Sequence, residues 1–270
     1  MDINGKRVLL TGATGGIGMA IARELKIQGA QLILSGRNTT NLSQFAKELG
    51  GTADDVSFIA ADLSCDEDLE RLLSEVGKVD ILIANAGLPG IDDITACSKQ
   101  EIDNCLTVNL RAPILLARGL MPQMVERGHG HLLFVSSISG KMPSSLSSLY
   151  SSSKYGLRGF ADCIRMDLHG TGVGVSTIYP GPIRDAGMIA DSGVILPFGT
   201  PSSTSNEVAL AVVRAIKKNL ASVNVMSFIL DLGIHLAYFS PTMNFLAQKL
   251  TGATKIARKF SISHRANQMN

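Results

Sequence analysis

Short apolar runs, each bounded by polar or glycine-rich stretches, recur through the first 225 residues of the chain. Arg7–Thr11, Gln31–Ser35, Val56–Ala60, Asp80–Ala84, His131–Ser136 and Val173–Tyr179 are rich in Val, Ile and Leu and do not alternate in polarity. Runs of this kind predict parallel strands buried on both faces. Between them lie longer stretches with helical character, near 17–28, 40–49, 66–75, 99–126, 149–169 and 205–219. Parallel neighbours need crossover connections, so the alternation predicts an α/β protein: a single doubly wound parallel sheet wrapped by helices. A short strand at Val223–Val225 is expected to extend it.

No Pro/Ser/Gly linker divides this stretch, so residues 1–225 are expected to form one domain. Ile183–Ser203 stands apart: it has glycines, prolines and no clear period. A loop this long is usually a lid or a binding loop, and its place after the sixth strand puts it where open α/β sheets bind ligands. Beyond Met226, apolar residues recur at Ile229, Leu232, Leu236, Phe239, Met243, Leu246 and Leu250, in steps of three and four. The stripe predicts two amphipathic helices, with Ser240-Pro241 restarting and Gly252 closing the pattern. This extension, 226–270, is expected either to pack on the body or a sister subunit, or to dock on a membrane surface. Asp231, His235 and Pro241 interrupt the run and argue against a transmembrane span.

Composition sharpens this picture in two places. The net charge is only +2, which gives no reason to invoke nucleic acid, but its distribution is uneven. No Asp or Glu follows Asp231, whereas Lys249, Lys255, Arg258, Lys259 and Arg265 do, so the last 39 residues carry +5 and the rest −3. Such a tail suits a solvated terminus, an acidic partner or a peripheral membrane contact. Cys65, Cys97, Cys105 and Cys163 have no metal-ligand spacing, and reduced thiols with no metal site are expected. The start of the chain runs directly into a strand pattern without a signal-peptide apolar region, so a cytoplasmic protein is expected.

The first candidate chemistry lies at Thr11-Gly12-Ala13-Thr14-Gly15-Gly16-Ile17-Gly18, between the first strand and the first helix. Glycines there let the backbone turn tightly and approach a pyrophosphate, which the free N–H groups at the helix start favour. This is the phosphate turn of a Rossmann-type sheet, with Gly12, Thr14, Gly16, Ile17 and Gly18 as expected contacts. An NAD site usually places an acid at the end of the second strand. Here the run is Ser35-Gly36-Arg37-Asn38, so Arg37 is expected to pair with a 2′-phosphate, and Ser35 and Asn38 to donate to it. That predicts NADP(H) over NAD. Asp62, followed by Leu63, reads either as an acceptor for the adenine amine or as a helix cap.

Tyr150 and Lys154 occupy positions i and i+4 in Tyr-Ser-Ser-Ser-Lys, one face of a predicted helix. A cation beside a phenol lowers its pKa and suits proton exchange with a carbonyl oxygen. With TGATGGIG, Asn85-Ala86-Gly87, Asn109, Ser137, YSSSK and Pro180-Gly181 in order, over about residues 5 to 220, the chain resembles the short-chain dehydrogenase/reductase family. The resemblance implies an oxidoreductase interconverting a ketone or aldehyde with an alcohol. Tyr150 is implied as general acid and base, and Ser137 as the partner of the substrate oxygen. Lys154 would hold the nicotinamide ribose, and Asn109 a water linked to Lys154. Asn85, Ala86 and Gly87 would line the cofactor, with Pro180, Gly181 and Ile183 near the nicotinamide.

The chain departs from the family pattern at two positions. Asp185 stands where many relatives have a carboxamide-binding Thr, and Thr14 where many NADP-using relatives have a basic residue, leaving cofactor choice to Arg37 and its neighbours. Seven serines between Ser144 and Ser153 crowd the catalytic helix entrance, and Met142, Leu146, Met188 and Ile195 are the candidates for an apolar substrate pocket. A lipophilic small-molecule substrate and a homodimer or homotetramer are expected. The alternatives are a cofactor-sensing binding protein or a membrane-surface interaction protein on the same fold.

Overall fold

The computed structural model describes residues 1–50, 55–191 and 202–228, with individual residues between 230 and 265. Seven parallel strands form one sheet: β1 (Arg7–Thr11), β2 (Gln31–Gly36), β3 (Val56–Ala60), β4 (Ile81–Ala84), β5 (Gly130–Val135), β6 (Val173–Pro180) and β7 (Ser222–Val225). Their spatial order is β3-β2-β1-β4-β5-β6-β7. The chain winds outward from β1 to β3, then returns to the other side of β1 with β4, which creates a switch point where open sheets bind ligands.

The two-sided burial that the unalternating strand runs predicted is present. Val8 and Leu10 of β1, Ile81 and Ile83 of β4, and Leu133 and Val135 of β5 enter one core. That core is completed by α1 (Gly16–Ile27), α2 (Thr39–Glu48) and α8 (Ser205–Lys218), through Ile21, Leu25, Phe45, Val212 and Ile216. The intervening Leu9, Leu82, Leu132 and Phe134 enter the other. There α3 (Asp66–Glu75), α5 (Ala112–Glu126) and α6 (Ser148–Asp167) supply Leu72, Leu116, Leu120, Leu157 and Ile164.

Two elements differ from the pattern-based expectation. The predicted helix 99–126 is interrupted: α4 (Lys99–Leu106) passes through a π-helical turn at Thr107–Arg111 before α5 begins. A wider turn inserts a residue that hydrophobic spacing does not register. The Ile183–Ser203 loop carries a short helix, α7 (Gly187–Asp191), and its ends meet as a parallel bridge between Ile183 and Ser203. Of the apolar stripe in the C-terminal extension only Leu232 lies among the described residues; Ile229, Leu236, Phe239, Met243, Leu246 and Leu250 lie outside them. Leu232, a member of the stripe, is 49% exposed, while Ile234, outside it, is buried. Among the described residues no helix is long and apolar enough to cross a membrane.

Candidate active site

The carboxyl ends of β1, β4, β5 and β6 open onto a cavity of about 680 Å³, a volume suited to a small-molecule or cofactor site. Its first wall is the glycine turn between β1 and α1. Gly12 adopts φ +63°, and a Cβ there would lie 2.8 Å from Ala86 Cα. A Cβ on Gly18 would lie 2.1 Å from the Gly12 carbonyl oxygen. Only glycine fits either place. Asn85 ties the turn to β4: its amide nitrogen donates to the carbonyls of Thr11 and Gly12, both at 3.1 Å. The Thr11 hydroxyl in turn accepts from the backbone N–H groups of Asn85 and Ala86. Asn85 thus braces the turn as well as lining the cavity.

Beyond the turn, the cavity wall includes Ser35, Arg37, Asp62 and Leu63. The Ser35 hydroxyl is buried without a hydrogen-bond partner, an arrangement that costs stability unless a ligand group completes it. Arg37 is exposed and has no ion pair among the described residues. A glycine turn with room for a phosphate, an orphan hydroxyl and an unpaired guanidinium fit a phosphorylated nucleotide.

Asn38 does not line this cavity; it is the N-cap of α2, and its side-chain oxygen accepts from Asn41 N at 2.9 Å. The need of a helix start for an acceptor explains the placement. Asp62 does line the cavity, but its carboxylate already accepts from the backbone N–H and hydroxyl of Ser64, at 2.9 and 2.7 Å. The cap position of α3 belongs to Cys65.

The catalytic candidates converge at the far end. Tyr150 and Lys154 lie on α6, both buried and both on the cavity wall. Tyr150 shares a hydrogen bond with Ser137, which follows β5. The Lys154 ammonium lies 5.6 Å from the Tyr150 ring centre and donates to the Val135 carbonyl at 3.2 Å. The expected lowering of the Tyr150 pKa is not what this geometry produces. Burial pushes the phenol up to about 12, against the smaller opposing effect of the Ser137 hydrogen bond. Burial also brings Lys154 down to about 8. The ammonium addresses a backbone carbonyl, so desolvation dominates the phenol.

Asn109 sits in the π turn and is fully buried, behind the cavity wall. Its side-chain oxygen accepts from Leu88 N at 2.7 Å, and its amide donates to Leu88 O at 2.9 Å and to Ser153 Oγ at 3.2 Å. Ser153 Oγ donates to the Tyr150 carbonyl at 2.7 Å. The side chain therefore braces the segment after β4 against the catalytic helix, rather than bonding to helix backbone of its own.

Pro180, Gly181 and Ile183 complete the wall at the end of β6. Asp185 turns away from it: its carboxylate accepts from Ser205 N and Ser205 Oγ, at 2.9 and 3.0 Å, and secures the start of α8. Of the apolar pocket candidates, Met188 lines the cavity, Met142 and Leu146 do not, and Ile195 lies outside the described residues. Leu88, Ile91, Val108 and Ile138 form the apolar end instead. Sequence motifs pass over them; only the four-residue spacing of Asn104 and Val108, both on the wall, hinted at a shared face. Among the described residues no group of His, Cys, Asp and Glu could hold a metal ion.

Comparison with known proteins agrees with this arrangement. The sequence profile of short chain dehydrogenases matches residues 6–193. A ketoacyl reductase, HetN, of Nostoc sp. is 37% identical over 230 residues, covering 83% of this chain and 79% of that protein. A metagenomic short-chain oxidoreductase solved with NADP superposes with a TM-score of 0.70 at 28% identity, over 83% of this chain and 98% of its own. An actinorhodin polyketide ketoreductase variant with NADPH gives 0.74 at 26% identity, over 82% of this chain and 95% of its own. With a profile spanning more than half of its length and its motifs gathered around one cavity, the chain belongs to the short-chain dehydrogenase/reductase family of oxidoreductases.

Proposed function

We propose that the protein is an NADP(H)-dependent carbonyl reductase that converts a lipophilic ketone or aldehyde to the alcohol, with Tyr150 as the proton donor. Residues 1–225 would be the catalytic and cofactor-binding unit of a cytoplasmic homodimer or homotetramer, with 226–270 as its extension. The observation that carries this reading is the Tyr150 phenol at the wall of the cavity, hydrogen-bonded to Ser137 and raised by burial to about 12. The phenol is protonated at neutral pH and can donate to a developing alkoxide; a cation beside it in the loaded site would bring its pKa toward the working range, where a general acid is most effective.

When bound, the cofactor supplies the hydride. Gly12, Gly16 and Gly18 leave room for its phosphates, while Arg37 and the Ser35 hydroxyl would meet a 2′-phosphate. Ser137 would hold the substrate carbonyl oxygen, so that Tyr150 can protonate it as negative charge develops. Lys154 would bind the nicotinamide ribose and, as a cation, favour the phenolate left behind. Asn109 keeps the catalytic helix against the cofactor-side segment, and a water between Asn109 and Lys154 would carry the replacement proton. Leu88, Ile91, Val108, Ile138 and Met188 make the substrate end apolar. The names of the ketoacyl and polyketide reductases above point to the same class of substrate.

The test is NADPH oxidation across a panel of carbonyl compounds that includes β-ketoacyl thioesters. Tyr150→Phe should lower kcat by about 100- to 10,000-fold with unaltered cofactor binding. Undiminished turnover by that variant would sink the mechanism.

A further inference from the structure

Three pairs of residues in the C-terminal extension, each four apart on helical backbone, turn outward. Phe228 and Leu232 are 79% and 49% exposed, Phe245 is 63% exposed beside exposed Lys249, and Ile262 is 64% exposed beside exposed Arg258. Four of the nine large apolar side chains that stand exposed among the described residues are in this short segment.

The neighbouring helical positions turn inward and make polar contacts. Asn244 donates to the Pro143 carbonyl at 3.0 Å, Gln248 accepts from Ser145 N at 3.2 Å, and Thr254 meets the Ser145 hydroxyl at 3.1 Å. Ser261 donates to Asp92 at 2.8 Å, Arg265 pairs with the same carboxylate, and Arg265 also donates to Ala96 O at 2.7 Å. One helical step is about 100°, so Phe245 leaves its helix about 100° from Asn244 and about 60° from Gln248, and Ile262 stands in the same relation to Ser261 and Arg265. An amphipathic helix ordinarily turns its apolar side inward; among the described residues here, polar anchors face the body, and phenyl, alkyl and cationic groups face outward.

We propose that this outer side is a docking surface for an anionic lipid membrane. The charge distinguishes that occupant. No acidic residue follows Asp231, and Lys249, Arg258 and Lys259 are exposed beside the apolar groups without an ion pair among the described residues. Aromatic and aliphatic groups interleaved with cations of one sign match the boundary between acyl chains and anionic headgroups. The inner anchors fix this surface to the loops at Asp92–Ala96 and Pro143–Ser145, next to Ile91 and Ser139 of the cavity wall. The docked protein would then hold its apolar cavity end close to the lipid. The docking itself does not depend on the reductase reading.

The full-length protein should sediment with mixed phosphatidylcholine–phosphatidylglycerol vesicles, much less with pure phosphatidylcholine, and less again at high salt. Each cation removed lowers the partition about fivefold, so Lys249→Gln/Arg258→Gln/Lys259→Gln should bind roughly 100-fold more weakly. Phe245→Ser/Ile262→Ser should also release the protein, with an unchanged melting temperature. Absence of sedimentation with anionic vesicles overturns the proposal, as does equal binding by the triple variant. A lower oligomer mass caused by Phe245→Ser/Ile262→Ser overturns it in favour of a second copy on this face. Sedimentation needs no turnover, so a failed carbonyl panel leaves this result readable.

Discussion

Tyr150 and Lys154 stand four residues apart on α6, and burial drives their protonation equilibria apart, up to about 12 for the phenol and down to about 8 for the ammonium. A phenol at about 12 keeps its proton through the whole working range, so an alkaline loss of activity belongs to Lys154. As pH rises through about 8 the ammonium becomes neutral, and kcat for reduction should fall about tenfold per pH unit beyond it. Lys154→Arg, whose guanidinium stays charged, should carry the plateau at least two units higher at whatever rate it retains; an alkaline limb still near 8 would reject the assignment. Arg37 offers a separate check. Arg37→Ser should raise the KM for NADPH roughly 10- to 100-fold, as expected for losing a charge-assisted bond of about 1.5–3 kcal/mol, and leave the KM for NADH in place. Equal changes with both cofactors would mean that Arg37 does not read the 2′-phosphate. The motif residues were legible in the chain because each answers a local demand, such as Gly12 at a positive φ. The Tyr150 proton affinity was not, because it depends on how much water the assembled walls exclude.

The strand runs were legible for a different reason: Val8, Leu9 and Leu10 alternate between two apolar cores, so no polar position interrupts them. The π turn at Asn109 was hidden, since one inserted residue changes which side a side chain leaves the helix without altering composition. Caps were the other blind spot. Asn38 caps α2 with its side-chain oxygen, and one oxygen of Asp62 is held by Ser64 while Asp62 still lines the cavity, local demands that the strand and helix runs do not register. Asp185 answers a similar demand at α8, which depends on it for two hydrogen bonds. Asp185→Ala should cost about 1 kcal/mol and lower the melting temperature by roughly 2–4 °C. Turnover at low temperature should be retained; a large loss of kcat with full stability would return Asp185 to the active site.

At the scale of the whole molecule, one buried group couples stability to acid. His131, on β5, is almost completely enclosed, and burial holds it down to about 3. Its Nε2 meets Ser176 Oγ at 2.9 Å, and that hydroxyl donates onward to Leu220 O, so the neutral ring donates from Nε2. An unfolded histidine takes a proton below about 6.5, whereas the native one resists it. Stability is therefore fully present above 6.5 and is lost as pH falls toward 3, by up to about 1.4 kcal/mol per pH unit. His131→Gln should flatten that dependence in acid melts, and an unchanged slope would assign it to other groups. A last consequence follows from the seam between β1 and β4. Val8 pairs with Ile81, whereas the β1–β2 pairing joins Arg7 to Gln31. Gly12 stands on one side of that seam and Asn85 on the other, so the nucleotide cradle is split across distant parts of the chain. On a ribosome that extends the chain by about 5–20 residues per second, the first two strands wait several seconds for the fourth. During that wait a free nucleotide has only half a cradle to grip, and the young chain must hold its sheet edge without the ligand's help.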